Sequence, residues 1–252
     1  MRFARLSRRV QGSRVDPLVD ALVDALGREQ VHADDLTRRL YARDASVIIG
    51  GRTGVVCFPR DARDVQACVR IARAHGRAVV PRGAGTGLAG GAVPCDDPVV
   101  VVTTRMNRIL DVDVAQRVAW VEPGVVNLDL TRALTPYGLH FAPDPSSQQS
   151  CTIGGNVANN SGGPHCLAYG VTNAHVLALD VVLADGSLVR LGSLDPEPAG
   201  LDLRGAVVGS EGTLGIVTAV AVRLTENPPA VRTLLLDFTS VAAAASTVSD
   251  II

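Results

Sequence analysis

Five glycines fall within the eleven residues Pro81 to Gly91, at positions 83, 85, 87, 90 and 91. They follow the apolar run Ala78-Val79-Val80, so a strand empties into a loop of nearly bare backbone. Without Cβ atoms such a loop reaches positive φ and brings its amide N–H groups close to an anion, above all to phosphate oxygens. Gly85, Gly87 and Gly90 also meet the G-x-G-x-x-G spacing of dinucleotide folds, which demands a helix opening at the loop with its N-terminus on a pyrophosphate. Gly90-Gly91 and Pro94 stand where that helix would run, and both residue types oppose it. A Walker A loop is excluded because all 24 basic residues are arginine. The competing reading is a glycine-rich turn that binds nothing.

The other chemistry-bearing residues narrow the field. Histidines at 32, 75, 140, 165 and 175 show no metal-ligand spacing, so no metal site is expected. His75 ends a helical pattern, and His165, in Gly163-Pro164-His165-Cys166, is either a structural histidine or a site residue. Five cysteines at 57, 68, 95, 151 and 166 make no C-x-x-C pair, and their odd number argues against a complete disulfide framework. A reducing cytoplasm is the expected home. The absence of lysine removes Schiff-base chemistry. A net charge of −1 gives no footprint for nucleic acid, and no stretch is apolar enough to span a bilayer.

The elements that must position these residues follow from periodicity and punctuation. Arginines at 2, 5, 8, 9 and 14, with no acid before Asp16, predict a disordered basic tail over 1–16. Leu18, Val19, Leu22, Val23 and Leu26 predict a helix over 17–26, and Asp34-Asp35 can cap a second. Val55 to Pro59 reads as a strand. Asp61 then caps a helix with the face Val65, Cys68, Val69 and Ile71-Ala72, ending near His75-Gly76. With strand 78–80 this makes a β-α-β unit whose glycine loop leaves the carboxyl end of its second strand. A strand is expected at 99–103, a hairpin from Ile109 to Val121, and a helix from Asn127 to Tyr137 closed by Gly138. Phe141 to Gly170 has little periodicity and reads as a long irregular, functional segment. Val176 to Leu191 is a hairpin turned at Asp185-Gly186, Pro196 to Gly200 a surface loop, and Leu201 to Val208 a short helix. The strand Ile216 to Leu224 precedes a Pro228-Pro229 linker, a further strand from Val231 to Phe238, and a helix from Val241. The class is α+β.

Three glycine-rich motifs thus stand in one order: Pro81-Arg82-Gly83-Ala84-Gly85-Thr86-Gly87, then Cys151-Thr152-Ile153-Gly154-Gly155-Asn156-Val157-Ala158-Asn159-Asn160-Ser161-Gly162-Gly163, then Gly209-Ser210-Glu211-Gly212-Thr213-Leu214-Gly215-Ile216. Their order and spacing resemble the FAD-linked oxidases of the vanillyl-alcohol oxidase and p-cresol methylhydroxylase (PCMH) type. The likeness runs over residues 40 to 250, towards the branch holding the glycolate oxidase flavin subunit and the D-lactate and D-2-hydroxyglutarate dehydrogenases. The resemblance implies a PCMH-type FAD-binding domain of two α+β subdomains over 17–227, with 228–252 as the start of a truncated C-terminal substrate domain. It implies that the first loop wraps the FAD pyrophosphate. The segment from Pro143 and Asp144 through Ser147 to Gly163, with Tyr169, would line diphosphate, ribityl chain and isoalloxazine. Glu211, Gly215 and Ile216 would meet the adenosine half.

The residue types agree with that assignment. Gly154-Gly155 and Gly162-Gly163 allow backbone to approach a flat ring. Asn156, Asn159 and Asn160 offer amide donors and acceptors, Thr86 and Thr152 can donate to phosphate, and Glu211 can accept from ribose hydroxyls. Each also has a plain reading as turn chemistry or surface charge. Covalent attachment in the superfamily often uses a histidine near the first loop, and none of positions 81–91 is one, so non-covalent FAD is expected. Cys151 and Cys166 are the remaining thiols near the cofactor segment.

The chemistry implied is hydride transfer from a 2-hydroxy acid of the glycolate or D-lactate type to flavin. Its substrate clamp and base belong, by the resemblance, to the C-terminal domain, so the 252-residue chain is expected to bind FAD without turnover. An electron-transfer subunit or iron–sulfur protein is the implied partner, which could also hold the chain at the periphery of an inner membrane. The alternatives are a FAD-carrying non-catalytic subunit or truncated product, and another flavin reductase of the same fold.

Overall fold

The computed structural model describes residues 16–195 and 200–251. Residues 1–15 of the basic tail expected over 1–16, and 196–199 of the surface loop expected over 196–200, lie outside the described residues. Asp16, assigned to that tail, instead caps the first helix: its carboxylate accepts from Leu18 N at 3.1 Å. Helix α1 (Pro17–Leu26) opens on proline, whose missing N–H costs nothing there, and stops at Gly27.

The first layer is a sheet of β1 (Val31–His32), β2 (Val55–Cys57), β3 (Val79–Arg82) and β4 (Val99–Val102) in the order β1-β2-β4-β3. β2, β4 and β3 are parallel, and β1 is antiparallel to β2. The unbroken Val99-Val100-Val101-Val102 run takes an interior position because it is covered on both faces. The expected β-α-β unit forms with β4 inserted between its strands. Helix α2 (Asp35–Leu40) is capped by Asp34, and α3 (Ala62–Ala74) by Asp61, which accepts from Arg63 N and Asp64 N at 2.8 and 3.0 Å. His75 closes α3 as expected. Leu18, Leu22, Val65, Cys68 and Ala72 from α1 and α3 pack on Val55, Cys57, Val99 and Val101.

The second layer is antiparallel. β5 (Ile109–Asp113) and β6 (Val118–Val121) form the expected hairpin; α4 (Asn127–Leu134) follows, then a 3-10 turn to Tyr137 and β7 (Leu139–His140). After α5 (Ile153–Asn159) and α6 (Cys166–Tyr169) come β8 (Val176–Val182), β9 (Leu188–Gly192), α7 (Leu203–Val207), β10 (Ile216–Arg223) and β11 (Thr225–Glu226). The sheet order is β5-β6-β10-β8-β9, with β7 and β11 paired apart. Leu130, Leu134, Ile153 and Val157 of α4 and α5 bury against Val121, Leu179, Val220 and Val222. Each fully buried leucine or isoleucine here contributes about 1.5–3 kcal/mol.

The two layers share a core. Val182 and Ile216 of the second sheet belong to the apolar cluster of α1 and α3. Gln66 Nε2 and Arg70 Nη2 on α3 both donate to Gly186 O at 2.8 Å.

Three expectations need correcting. Phe141 to Gly170 is not irregular throughout, since α5 and α6 lie in it. The helix expected over Leu201 to Val208 is confined to α7, Leu203–Val207. Val231 to Phe238 forms no strand, is exposed throughout and belongs to none of the sheets among the described residues. Helix α8 (Val241–Ile251) forms where expected but buries none of its residues. No helix among the described residues is long and apolar enough to cross a membrane.

Candidate functional site

Strand β3 ends at Arg82, and the glycine loop turns back over that side chain. Gly85 has φ +74°, and a Cβ there would strike the Arg82 guanidinium. A Cβ at Gly83 would strike Thr152 Oγ1. Bare backbone is therefore demanded by packing on Thr152 at Gly83 and by the positive φ at Gly85. Arg82 is only 8% exposed; its Nη1 donates to Arg43 O at 2.8 Å, and its Cζ sits 5.2 Å from the Tyr41 ring centroid. No carboxylate forms an ion pair with it among the described residues. Burial holds its pKa below the ordinary arginine value, so a positive charge is kept beneath the loop at a solvation cost. An anion on the loop would offset that cost.

A second wall runs from Pro145 to Gly162 and is fastened to the start of α4. Asn127 N donates to Cys151 O (3.0 Å), Leu128 N to Gln148 O (3.0 Å), Ile153 N to Val125 O (2.8 Å) and Gly154 N to Pro123 O (2.8 Å). Thr152 caps α5, with its Oγ1 3.4 Å from Gly155 N. Asn159 Nδ2 donates to Gly155 O at 3.0 Å, and its amide lies beside Gly87. Cys151, Thr152 and Asn156 are nearly fully buried.

The third wall is the turn before β10. Glu211 takes φ +54° and donates its N–H to Ala158 O at 2.8 Å. Its carboxylate packs on Gly91, so it closes on the first loop. Ser210 Oγ is buried with no hydrogen-bond partner among the described residues. These three walls bound a cavity of about 490 Å³.

All seven residues from Pro81 to Gly87 line this cavity. Ser147, Cys151, Thr152, Gly154, Gly155, Asn156, Asn159 and Gly162 join them, as do Glu211, Gly215 and Ile216. Five expected site residues do not. Pro143 instead gives its carbonyl to Asn127 Nδ2 at 2.9 Å. Asp144 contacts Gly163 and accepts from His165 Nδ1 at 2.5 Å. Asn160 is the left-handed cap of α5, and its Oδ1 accepts from Asn173 N at 2.9 Å. Tyr169 packs edge-on against His140 and gives its carbonyl to His175.

The sequence reading missed Asp44, Thr103, Pro123 and Ser210, which also line the cavity. Thr103 Oγ1 donates to Arg82 O at 3.4 Å, and Ala45 N to Gly85 O at 3.0 Å. These approaches join residues remote in sequence, so no local pattern marks them; only Ser210, inside the third glycine motif, had a signal. The charged residues in the lining are Asp44, Arg82 and Glu211. Among the described residues no group of three or more His, Cys, Asp or Glu is placed to hold a metal ion. The cavity thus suits a long polar ligand with an anionic stretch, held by backbone and amides.

Comparison with known proteins agrees with that description. Residues 53–192 match the model of a family described as FAD binding domain. The chain is 42% identical over 234 residues to the glycolate oxidase subunit GlcD of Bacillus subtilis, covering 92% of this chain and 50% of that protein. It is 43% identical over 226 residues to GlcD of Escherichia coli K12, covering 90% and 45%. The chain therefore spans about half the length of these relatives. Among solved structures, 4-ethylphenol oxidase from Gulosibacter chungangensis superposes with a TM-score of 0.74 at 27% identity, over 84% of this chain and 43% of that one.

Proposed function

Because the chain belongs to the FAD binding domain family, with the PCMH-type fold of FAD-linked oxidases, FAD is its cofactor, and we propose that the 490 Å³ cavity holds it non-covalently for oxidation of a 2-hydroxy acid. The observation that carries this reading is the buried Arg82 guanidinium, held in no ion pair among the described residues, beneath a loop with a positive φ at Gly85 and no room for a Cβ beside Thr152 at Gly83. That is a diphosphate cradle in both charge and shape. Bound FAD would supply the two-electron acceptor for a hydride from the hydroxyl-bearing carbon.

The residues divide the remaining work. The amides of Gly83 to Gly87 bind the diphosphate, with Arg82 balancing its charge from behind. Gly154 and Gly155 give a wall without side chains for the ring, and Asn156 and Asn159 meet its polar edge. Ser210 Oγ, lacking a protein partner, and Glu211 serve the sugar hydroxyls. We place the substrate carboxylate clamp and the acceptor of the hydroxyl proton outside these residues. The lining supports this: Asp44 already accepts from Ser46 N at 2.8 Å, and Glu211 is packed on Gly91. No other base lines the cavity.

The 2-hydroxy acid class rests on the relatives named as glycolate oxidase subunits, and that name also supports partner subunits as the electron outlet. The engagement of both lining carboxylates, Asp44 and Glu211, favours a chain that holds FAD yet does not turn over alone. Anaerobic mixing of the FAD-loaded chain with glycolate or D-lactate, followed by visible absorbance, separates the two. The flavin bands are expected to persist; bleaching at enzymatic rates would place the base within these 252 residues.

A further inference from the structure

Asn127 opens α4, is 1% exposed and does not line the cavity, yet its side chain determines what one lining residue presents. A carbonyl oxygen can only accept, so the Asn127 atom 2.9 Å from Pro143 O must be Nδ2. The same Nδ2 lies 3.0 Å from Asn156, which must therefore turn its Oδ1 towards Asn127. Asn156 Nδ2 is thereby directed the other way, donating to Cys151 Sγ at 3.4 Å. One hydrogen of that amide group remains, and Asn156 lines the cavity. Flipping Asn156 would set two NH₂ groups against each other with no acceptor between them. Asn127 Oδ1 has no hydrogen-bond partner among the described residues, so none of them competes on its other side for the orientation.

We propose that Asn127 is a positioning residue that fixes Asn156 as a hydrogen-bond donor to the cavity, so that the ligand edge against Asn156 is an acceptor, a carbonyl oxygen or an unprotonated ring nitrogen. This rests on the FAD reading and says which edge the wall recognises. Asn127 also binds Cys151 O through its backbone N–H, a bond that side-chain substitution leaves intact.

The test is a fluorescence titration of FAD into the full chain and its Asn127→Leu, Asn156→Leu, Asn156→Asp and Asn127→Leu/Asn156→Leu variants, with far-ultraviolet circular dichroism checking the fold. Each single substitution is expected to weaken binding by about tenfold, the worth of one buried hydrogen bond. The double variant is expected to lose no more than Asn156→Leu alone, because Asn127 acts only through Asn156. Wild-type affinity in Asn127→Leu, or losses that multiply in the double variant, would overturn the proposal. Should Asn127→Leu fail to fold, Asn156→Asp serves instead, since it keeps an acceptor facing Asn127 while replacing the donor NH₂, and with it the bond to Cys151 Sγ, by a carboxylate oxygen. Tight binding there overturns the donor assignment, and weakened binding matched by the uncharged Asn156→Leu supports it. Failure of the unaltered chain to bind FAD would remove the FAD reading and this inference with it, a result distinct from selective loss in the variants.

Discussion

At the residue scale, His175 and Gly83 illustrate two kinds of constraint. His175 is 5% exposed, its Nε2 bonded to Tyr169 O at 2.8 Å and its Nδ1 buried without a partner among the described residues. Burial pushes its pKa below the ordinary histidine value of 6.5. The unfolded chain therefore takes up a proton more readily than the folded one. The stability this neutral histidine contributes is complete above about pH 6.5 and declines as pH falls towards the folded value. Urea midpoints at pH 7.5 and pH 5.5 should fall more in the wild type than in His175→Gln. Gly83→Ala should cost about 1–3 kcal/mol through its clash with Thr152 Oγ1, and should also weaken FAD binding, as thermal melts and titrations would record. The glycines were legible from their density alone. Asn127 and Arg82's burial were not, because both depend on what the chain folds against them.

Among the elements, α5 teaches most, because its sequence argues against it. Gly154 and Gly155 each disfavour helix by about 1 kcal/mol relative to alanine, which is why the stretch read as irregular. Burial of Ile153 and Val157, the Thr152 cap and the left-handed Asn160 outweigh that penalty. The Thr152 bond is long at 3.4 Å, so Thr152→Ala should cost about 0.5–1 kcal/mol, the lower part of the usual cap range. Removing Oγ1 also makes room for a methyl at position 83. The Thr152→Ala/Gly83→Ala pair should accordingly melt above the sum of its single losses, and strict additivity would show that the two residues do not touch. Elements with strong periodicity and side-chain caps, such as α1 and α3, were legible to the residue or nearly so. The strand expected at Val231 to Phe238 failed for the opposite reason. Its composition suits a strand, but the exposed segment pairs with no strand among the described residues, and strand composition without pairing gives no ladder.

Over the whole molecule, the cavity draws its walls from the end of the first sheet, the α4–α5 region and the turn entering the second sheet. Because Val182 and Ile216 share a core with α1 and α3, the layers are expected to unfold together. A ligand touching all three walls stabilises them by mass action, by about 2.7 kcal/mol at a hundredfold excess over Kd. For a chain of this size that is a rise of roughly 5–10 °C in Tm. The class and the order of the motifs were readable in advance, whereas the way the walls converge was not, since it comes from sheet order and from contacts across more than a hundred residues. The central claim is non-covalent FAD in this cavity, and the direct measurement is reconstitution with FAD, gel filtration, a visible spectrum of the protein peak, and acid precipitation of that peak. The account predicts a protein peak with two flavin bands and near-equimolar flavin, all of it released to the supernatant by acid. A flavin-free protein peak would contradict FAD binding, and flavin that stays with the precipitate would contradict the non-covalent site.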